Sequence, residues 1–252
     1  MTFEEKLCVV TGGTSGIGLA TVARFARQKA TVIVLSNNAD QSAELELSAQ
    51  ANGWTVATVV GDVADNDAWD RVLAVAAEHA PIDVLVNNAG YGKRGTVLDL
   101  TRSDWEDQFR TNVTGVFLGC QAVLPQMLER KSGSIVNVAS VAGAIGMSRR
   151  AAYCATKAAI VGLTRAMAVD HSRDGVRVNA VAPGTTDSPY FKAIGADVAE
   201  PEEYLKYLAD RQILGRMGTP DEIAAAIEFL ASDEAGFAVG SVLTVDGGMS
   251  VW

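Results

Sequence analysis

The chain has 252 residues and a formal net charge of −9, with 48% apolar and 20% charged residues, a balance that supports a large core and excludes global disorder. The acidic excess argues against coating nucleic acid or an anionic membrane, because both would repel it. No pair among the histidines, His79 and His171, and the cysteines, Cys8, Cys120 and Cys154, has metal-ligand spacing, so no structural zinc site is expected, and the odd, sparse cysteine count without a disulfide-like framework fits a reducing compartment.

No signal-peptide pattern opens the chain and no run approaches the roughly 18 apolar residues of a membrane span, so a cytoplasmic location is expected. Short β-branched runs predict strands at Leu7–Thr11, Thr31–Leu35, Thr55–Val60, Asp83–Asn87, Ser134–Ala139, Arg177–Val181 and Val242–Val245. Several are apolar on both faces, which suits a parallel sheet covered by helices on each side. The helix after the first strand, Ile17–Lys29, carries Thr21, Arg24, Arg27 and Gln28 as one expected solvent stripe. Helices at 104–128 and 157–170 are apolar over more than one face and need burial beyond one sheet. Strand–helix alternation without a long linker predicts one doubly wound α/β domain over 1–252 with a seven-stranded parallel sheet. A loop at 141–152 and an insertion at about 185–218 break the rhythm. Ligands bind outside the carboxyl ends of such strands, so both segments are expected to wall a site.

Glycine is enriched, with 24 residues against about 18 at an average usage of ~7%. The first cluster, Thr11-Gly12-Gly13-Thr14-Ser15-Gly16-Ile17-Gly18, joins the first strand to the first helix. Gly12 allows the turn, Gly16 lets backbone approach a pyrophosphate at the helix N-terminus, and Gly18 allows close helix–sheet packing. Gly12, Thr14, Ser15, Gly16, Ile17 and Gly18 together form the expected dinucleotide cradle. At the end of the second strand, Ser36, Asn37 and Asn38 stand where an acidic residue often holds the ribose 2′-OH of NAD. The missing carboxylate favours NADP over NAD, although no arginine is there to pair with a 2′-phosphate. Asp62, with Val63 beside it, follows the third strand and is read either as an adenine contact or as a loop cap.

Tyr153 and Lys157 stand four residues apart at the start of an apolar helix, so phenol and ammonium share one face. A free tyrosine has a pKa near 10, so only about one in a thousand is ionised at pH 7. A cation in a desolvated cleft lowers that value and makes the phenol a usable acid or base. Ser140 lies at the end of the fifth strand, where its hydroxyl can donate to a substrate oxygen.

With these residues the sequence resembles the short-chain dehydrogenase/reductase family, in its short single-domain branch. T-G-x-x-x-G-x-G matches Thr11 to Gly18, N-N-A-G matches Asn87 to Gly90, S…Y-x-x-x-K matches Ser140, Tyr153 and Lys157, and P-G matches Pro183-Gly184. The resemblance implies a Rossmann-type fold, an NAD(P) cofactor and interconversion of an alcohol and a ketone. It implies Tyr153 as proton donor or acceptor, and Lys157 as the group that lowers its pKa and binds nicotinamide ribose. It makes Ser140 the carbonyl-orienting group and Asn112 the anchor of a water linking Lys157 to solvent. Asn88, Ala89 and Gly90 then line the adenosine side, while Pro183, Gly184, Thr185 and Thr186 flank the nicotinamide. Ser188 stands where the family often has Thr, which keeps the hydroxyl. A homotetramer built through the apolar helices is implied, with 240–252 at a further interface.

Lys93, Arg94, Arg149 and Arg150 border the expected site, and are read either as an anion-binding set for a sugar acid or other hydroxy acid, or as ordinary surface charge. Tyr190, Phe191, Tyr204 and Tyr207 in the insertion are read as a substrate lid or as packing. Cys154 is expected to be a small buried residue turned away from the site, and the two histidines to be surface or helix-end residues. The competing readings are an NADPH-dependent 3-oxoacyl or carbonyl reductase, a non-catalytic dinucleotide-binding redox sensor, and a sugar-nucleotide epimerase or lyase. The intact Tyr–Lys pair weighs against the sensor, and the lack of a longer C-terminal substrate domain against the epimerase.

Overall fold

The computed structural model describes residues 2–189 and 200–251. Seven strands form one sheet: β1 (Leu7–Thr11), β2 (Thr31–Ser36), β3 (Val56–Val60), β4 (Ile82–Asn87), β5 (Gly133–Val138), β6 (Val176–Pro183) and β7 (Val242–Val245). Their order is β3-β2-β1-β4-β5-β6-β7 and every pairing is parallel. The helices are α1 (Gly16–Arg27), α2 (Ala39–Asn52), α3 (Asn66–Ala77), α4 (Arg102–Phe109), α5 (Gly115–Arg130), α6 (Ala151–His171), α7 (Pro201–Asp210) and α8 (Pro220–Ala231).

Each face of the sheet buries its own apolar cluster. One gathers Trp69, Val72, Val123, Met127 and Ile160 from α3, α5 and α6, and the other gathers Val22, Phe25, Ile223 and Ile227 from α1 and α8. The near-continuous apolar strands follow from this double coverage. The strand order reverses between β1 and β4, so the loops after these two strands diverge and leave a crevice at their carboxyl ends.

The solvent stripe expected on α1 is a correction. Thr21 is fully buried, its hydroxyl donating to the Ile17 carbonyl at 2.8 Å. Arg24 pairs with Asp221 and Glu228 on α8, and Gln28 donates to Glu228. The stripe therefore faces a second helix, and only Arg27 of the four is exposed. The run expected at 104–128 is also interrupted, by a π-turn at Arg110–Thr114 between α4 and α5. The helix expected to open at Tyr153 begins two residues earlier, at Ala151, which places Tyr153 in its first turn.

The insertion is closed at its ends by a bridge between Thr186 and Gly218. Beyond it, Thr219 and Glu222 form a capping box for α8, with Pro220 in its first turn. Arg177 on β6 caps the other end of α8, donating to the carbonyls of Leu230 at 2.8 Å and Ser232 at 2.9 Å.

Candidate active site

The crevice at the strand reversal is a cleft of about 580 Å³. It runs from Ser36, Asn37 and Asn38, past the glycine turn, to Ser140, Tyr153, Lys157 and Pro183. Nearly all of the expected site residues line it, including Thr14, Ser15, Gly16, Ile17, Asp62, Val63, Asn88, Ala89, Gly90, Gly184, Thr185 and Thr186.

Gly12 has a φ of 63° and Gly16 a φ of 52°, left-handed values that favour glycine. A Cβ at Gly16 would meet nothing closer than the Ser188 Cβ at 3.7 Å, so its face stays open to the cleft. Gly18 does not line the cleft; a Cβ there would run into the Gly12 carbonyl, as expected of a packing glycine. Ser15 caps α1 without a side-chain hydrogen bond, and no acidic residue occupies the first helical turn. The first amides of α1 therefore lack both a cap and a repelling charge, which is the setting a pyrophosphate needs. The turn is held to β4: the Thr11 hydroxyl accepts from the amides of Asn88 at 2.9 Å and Ala89 at 3.0 Å. The Asn88 side chain donates to the carbonyls of Thr11 at 2.9 Å and Gly12 at 3.1 Å.

At the β2 end the lining is uncharged. Thr14 and Ser36 hydroxyls lie 3.1 Å apart, and Asn38 caps α2 by accepting from the Gln41 amide at 3.0 Å. Asp62 is the one acidic residue of the lining among the described residues. It accepts from the Ala64 amide at 2.8 Å and pairs with Arg110 at 2.6 Å, so it caps its loop while facing the cleft. Burial opposes its charge, but these two donors outweigh it and hold the carboxyl below the usual range.

Ser140 stands two residues beyond β5, and its Oγ accepts from the Ala142 amide at 3.1 Å, which leaves its proton free to donate. The short turn it opens packs on α6: a Cβ at Gly143 would lie 2.8 Å from the Lys157 carbonyl. The Lys157 ammonium sits 5.7 Å from the Tyr153 ring centroid and donates to the Val138 carbonyl at 2.7 Å. Burial pushes its pKa down to about 8. Asn112 lies behind the cleft in the π-turn, a distortion often found at functional sites. It donates to the Tyr91 carbonyl at 2.8 Å and to Thr156 Oγ1 at 3.0 Å, tying the loop after β4 to α6. A Cβ at Gly90 would lie 2.9 Å from Asn112 Oδ1 and 3.6 Å from Lys157 Nζ, so these two groups flank the same glycine.

The four cations separate. Lys93 pairs with Asp104 and Arg149 pairs with Asp99 at 3.3 Å; neither lines the cleft, so for these two the surface-charge reading holds. Arg150 is only 9% exposed, lines the cleft and donates to the Gly92 carbonyl at 2.9 Å. Arg94 lies over the Tyr204 ring at 5.9 Å. Cys154 is half-buried rather than buried, because the first turn of α6 leaves it at the surface beside Ile145. Tyr190 and Phe191 lie outside the described residues. Arg211, Met147, Met249 and Gly92 also line the cleft and carry no sequence signal: none belongs to a motif, and all arrive through turns that only the fold brings together.

Glycine turn, capless helix end and Ser–Tyr–Lys cluster define a dinucleotide-dependent oxidoreductase of the Rossmann class. A family profile described as enoyl-(acyl carrier protein) reductase matches residues 12–250. The chain is 40% identical to a 2-keto-3-deoxy-L-fuconate dehydrogenase of Xanthomonas campestris pv. campestris, covering 98% of this chain and 81% of that one. It is 39% identical to the rat dehydrogenase/reductase SDR family member 6, covering 98% of both chains. The crystal structure of levodione reductase superposes with a TM-score of 0.94 at 34% identity, over 99% of each chain. The chain belongs to the short-chain dehydrogenase/reductase family. It is an oxidoreductase acting on CH–OH groups and their ketones, and the family implies NAD or NADP as cofactor.

Proposed function

We propose that the protein interconverts a secondary alcohol and a ketone with NADP in preference to NAD, and that its substrate is a sugar, a sugar acid or another hydroxy acid. The observation that carries this reading is one cleft with a pyrophosphate-type glycine turn at its middle and Ser140, Tyr153 and Lys157 at its end. One dinucleotide-binding and catalytic domain over 1–252 performs the reaction, with 185–218 as its substrate loop.

The glycine turn and first amides of α1, from Gly12 to Ile17, hold the pyrophosphate. Asp62 and Val63 face the adenine, Asn88 to Gly90 the adenosine side, and Pro183 to Thr186 the nicotinamide. The uncharged Ser36, Asn37 and Asn38 accept a 2′-phosphate that an acidic residue would repel. When bound, the cofactor supplies or accepts the hydride. Ser140 donates to the carbonyl oxygen and stabilises the charge that builds on it. The Tyr153 hydroxyl gives that oxygen its proton in reduction and removes it in oxidation. The Lys157 cation lowers the phenol pKa and binds ribose hydroxyls, and Asn112 anchors the water through which Lys157 exchanges protons with solvent.

The name of the Xanthomonas relative supports a sugar acid. Exposed Trp105, Phe117, Val169 and Phe237 support the homotetramer, which light scattering on the eluting protein tests. Among the described residues no helix is long and apolar enough to cross a membrane. Three free cysteines favour a reducing compartment such as the cytoplasm.

The test is a panel of ketones and alcohols with NADPH, NADH and their oxidised forms, followed by the absorbance of reduced nicotinamide. Turnover confined to one cofactor pair is expected, with tighter binding of NADPH. No turnover with either cofactor rejects the proposed substrate class, and a clear NADH preference rejects the cofactor choice.

A further inference from the structure

A second cavity, of about 190 Å³, adjoins the cleft. Three arginines, Arg94, Arg150 and Arg211, and two tyrosines, Tyr204 and Tyr207, line it, and among the described residues its lining holds no acidic residue. Met147, Arg150, Arg211 and Met249 border both cavities, so the two are adjacent and share these side chains. In a chain of net charge −9, three cations facing one small space is the reverse of the average surface.

Arg211, just past the end of α7, forms no ion pair with a carboxylate among the described residues and stacks 6.0 Å from the Tyr207 ring centroid. Burial disfavours its charge; the nearby tyrosines offset part of this, and Arg150 adds like-charge repulsion. A guanidinium placed beside another guanidinium carries a cost that an anion between them removes. The place is also next to the chemistry. A Cβ at Gly92 would lie 2.7 Å from Tyr153 Cδ2 and 3.2 Å from Arg150 Nη1, so Arg150 and the phenol ring crowd the same glycine.

We infer that this side cavity is an anion subsite, in which Arg150 and Arg211 hold the carboxylate of a hydroxy acid or keto acid whose alcohol or carbonyl carbon faces Tyr153. This deepens the oxidoreductase reading and rests on it. Arg94, over the Tyr204 ring, closes the outer side and adds charge to the same space. The substrate class narrows accordingly, from alcohols in general to those that carry a carboxylate a few bonds from the reacting carbon.

The experiment compares pyruvate, acetoacetate and levulinate, which place the carboxylate progressively farther from the ketone, each with its methyl ester. For the acid that fits, wild-type kcat/KM exceeds that of its ester by about 10- to 100-fold, the value of a charge-assisted hydrogen bond. Arg211→Gln brings the ratio close to one, and Arg211→Lys restores part of it. A wild-type ratio near one across the panel, or a ratio untouched by Arg211→Gln, overturns the subsite. If no ketone of the panel turns over, the proposed substrate reading fails by itself and a binding measurement decides the subsite. At constant ionic strength malonate, but not dimethyl malonate, then raises the melting temperature of the wild type and not that of Arg211→Gln. Equal shifts in both proteins overturn the proposal. Arg94→Gln serves in the same measurements should Arg211→Gln not fold, with a smaller fall in the ratio expected and no fall counting against the subsite.

Discussion

The Tyr153 ring occupies the space that a side chain at residue 92 would need: a Cβ on Gly92 would lie 2.7 Å from Tyr153 Cδ2. Tyr153 on α6, the proposed acid/base residue, is thus located by the absence of a side chain in the loop after β4. Gly92→Ala pushes the ring aside, and misplacement by about 1 Å costs about 100-fold in rate. The expected result is a fall in kcat of roughly 10- to 100-fold with little change in cofactor affinity. Steady-state kinetics with a fluorescence titration of reduced cofactor reads both; an unchanged kcat shows that the ring needs no such fit.

Tyr153→Phe keeps the ring and removes the proton. Turnover falls by about 10²- to 10⁴-fold, the usual worth of a positioned general acid, while cofactor binding stays within a few-fold. Full activity in the variant means that another group transfers the proton.

Lys157 has its pKa pushed down from 10.5 to about 8 by burial, so the folded chain sheds this proton earlier than the unfolded one. Between these two values the unfolded state binds more protons, and stability rises with pH. Urea unfolding of the cofactor-free protein is expected to show its midpoint climbing from pH 8 toward pH 10, with a shallower climb in Lys157→Met. Parallel profiles for the two proteins indicate an unshifted lysine.

Asn88 stitches the glycine turn to β4 through two side-chain hydrogen bonds. Asn88→Ala leaves two backbone carbonyls short of a partner, at about 1–3 kcal/mol. For a chain of this length the melting temperature falls by about 2–4 °C per kcal/mol. Weaker cofactor binding accompanies the loss, because the turn is the proposed cradle. Calorimetry and a cofactor titration on the same variant check both effects.

Glu222 closes the capping box of α8, and its carboxyl is drawn from 4.5 to about 2, first by Arg216 and then by the Thr219 amide. A depressed carboxyl stabilises the fold above its unfolded pKa and loses that effect as pH falls through the folded one. Wild type therefore melts above Glu222→Gln at pH 7, and the gap closes between pH 4.5 and pH 2. A gap that persists at the acid end assigns the stabilisation to shape rather than charge.

All seven strands, the glycine turn and the Ser–Tyr–Lys cluster were legible in the sequence, because each depends on local pattern: β-branched runs, glycine at a strand–helix joint, and side chains one helical turn apart. Thr21 was misread because a hydroxyl satisfied by its own helix can be buried like an apolar group. Lys93 and Arg150 looked alike as cations near the site; only the placement of Asp104 beside one and Gly92 beside the other separates them. Arg211 was invisible for a related reason. Nothing near it in sequence marks it, and it reaches the cleft because Gln212 next to it accepts a hydrogen bond from the Thr185 amide at 3.4 Å across the insertion. The π-turn at Asn112 likewise lies inside a run whose periodicity reads as unbroken helix.

The bridge between Thr186 and Gly218 pins both ends of the segment that carries Arg211, and does so at the rim of the sheet. A segment fixed at its ends can change length and composition at small entropic cost, since closure grows only as the logarithm of loop length. The glycine turn, Tyr153 and Lys157 sit outside that bracket, as do Arg94 and Arg150. The molecule is therefore built like a tool with a partly exchangeable bit: on the proposed reading, transplanting the bracketed stretch between relatives exchanges Arg211 and its surroundings, while the frame that carries Arg150, Tyr153 and Lys157 remains as it is.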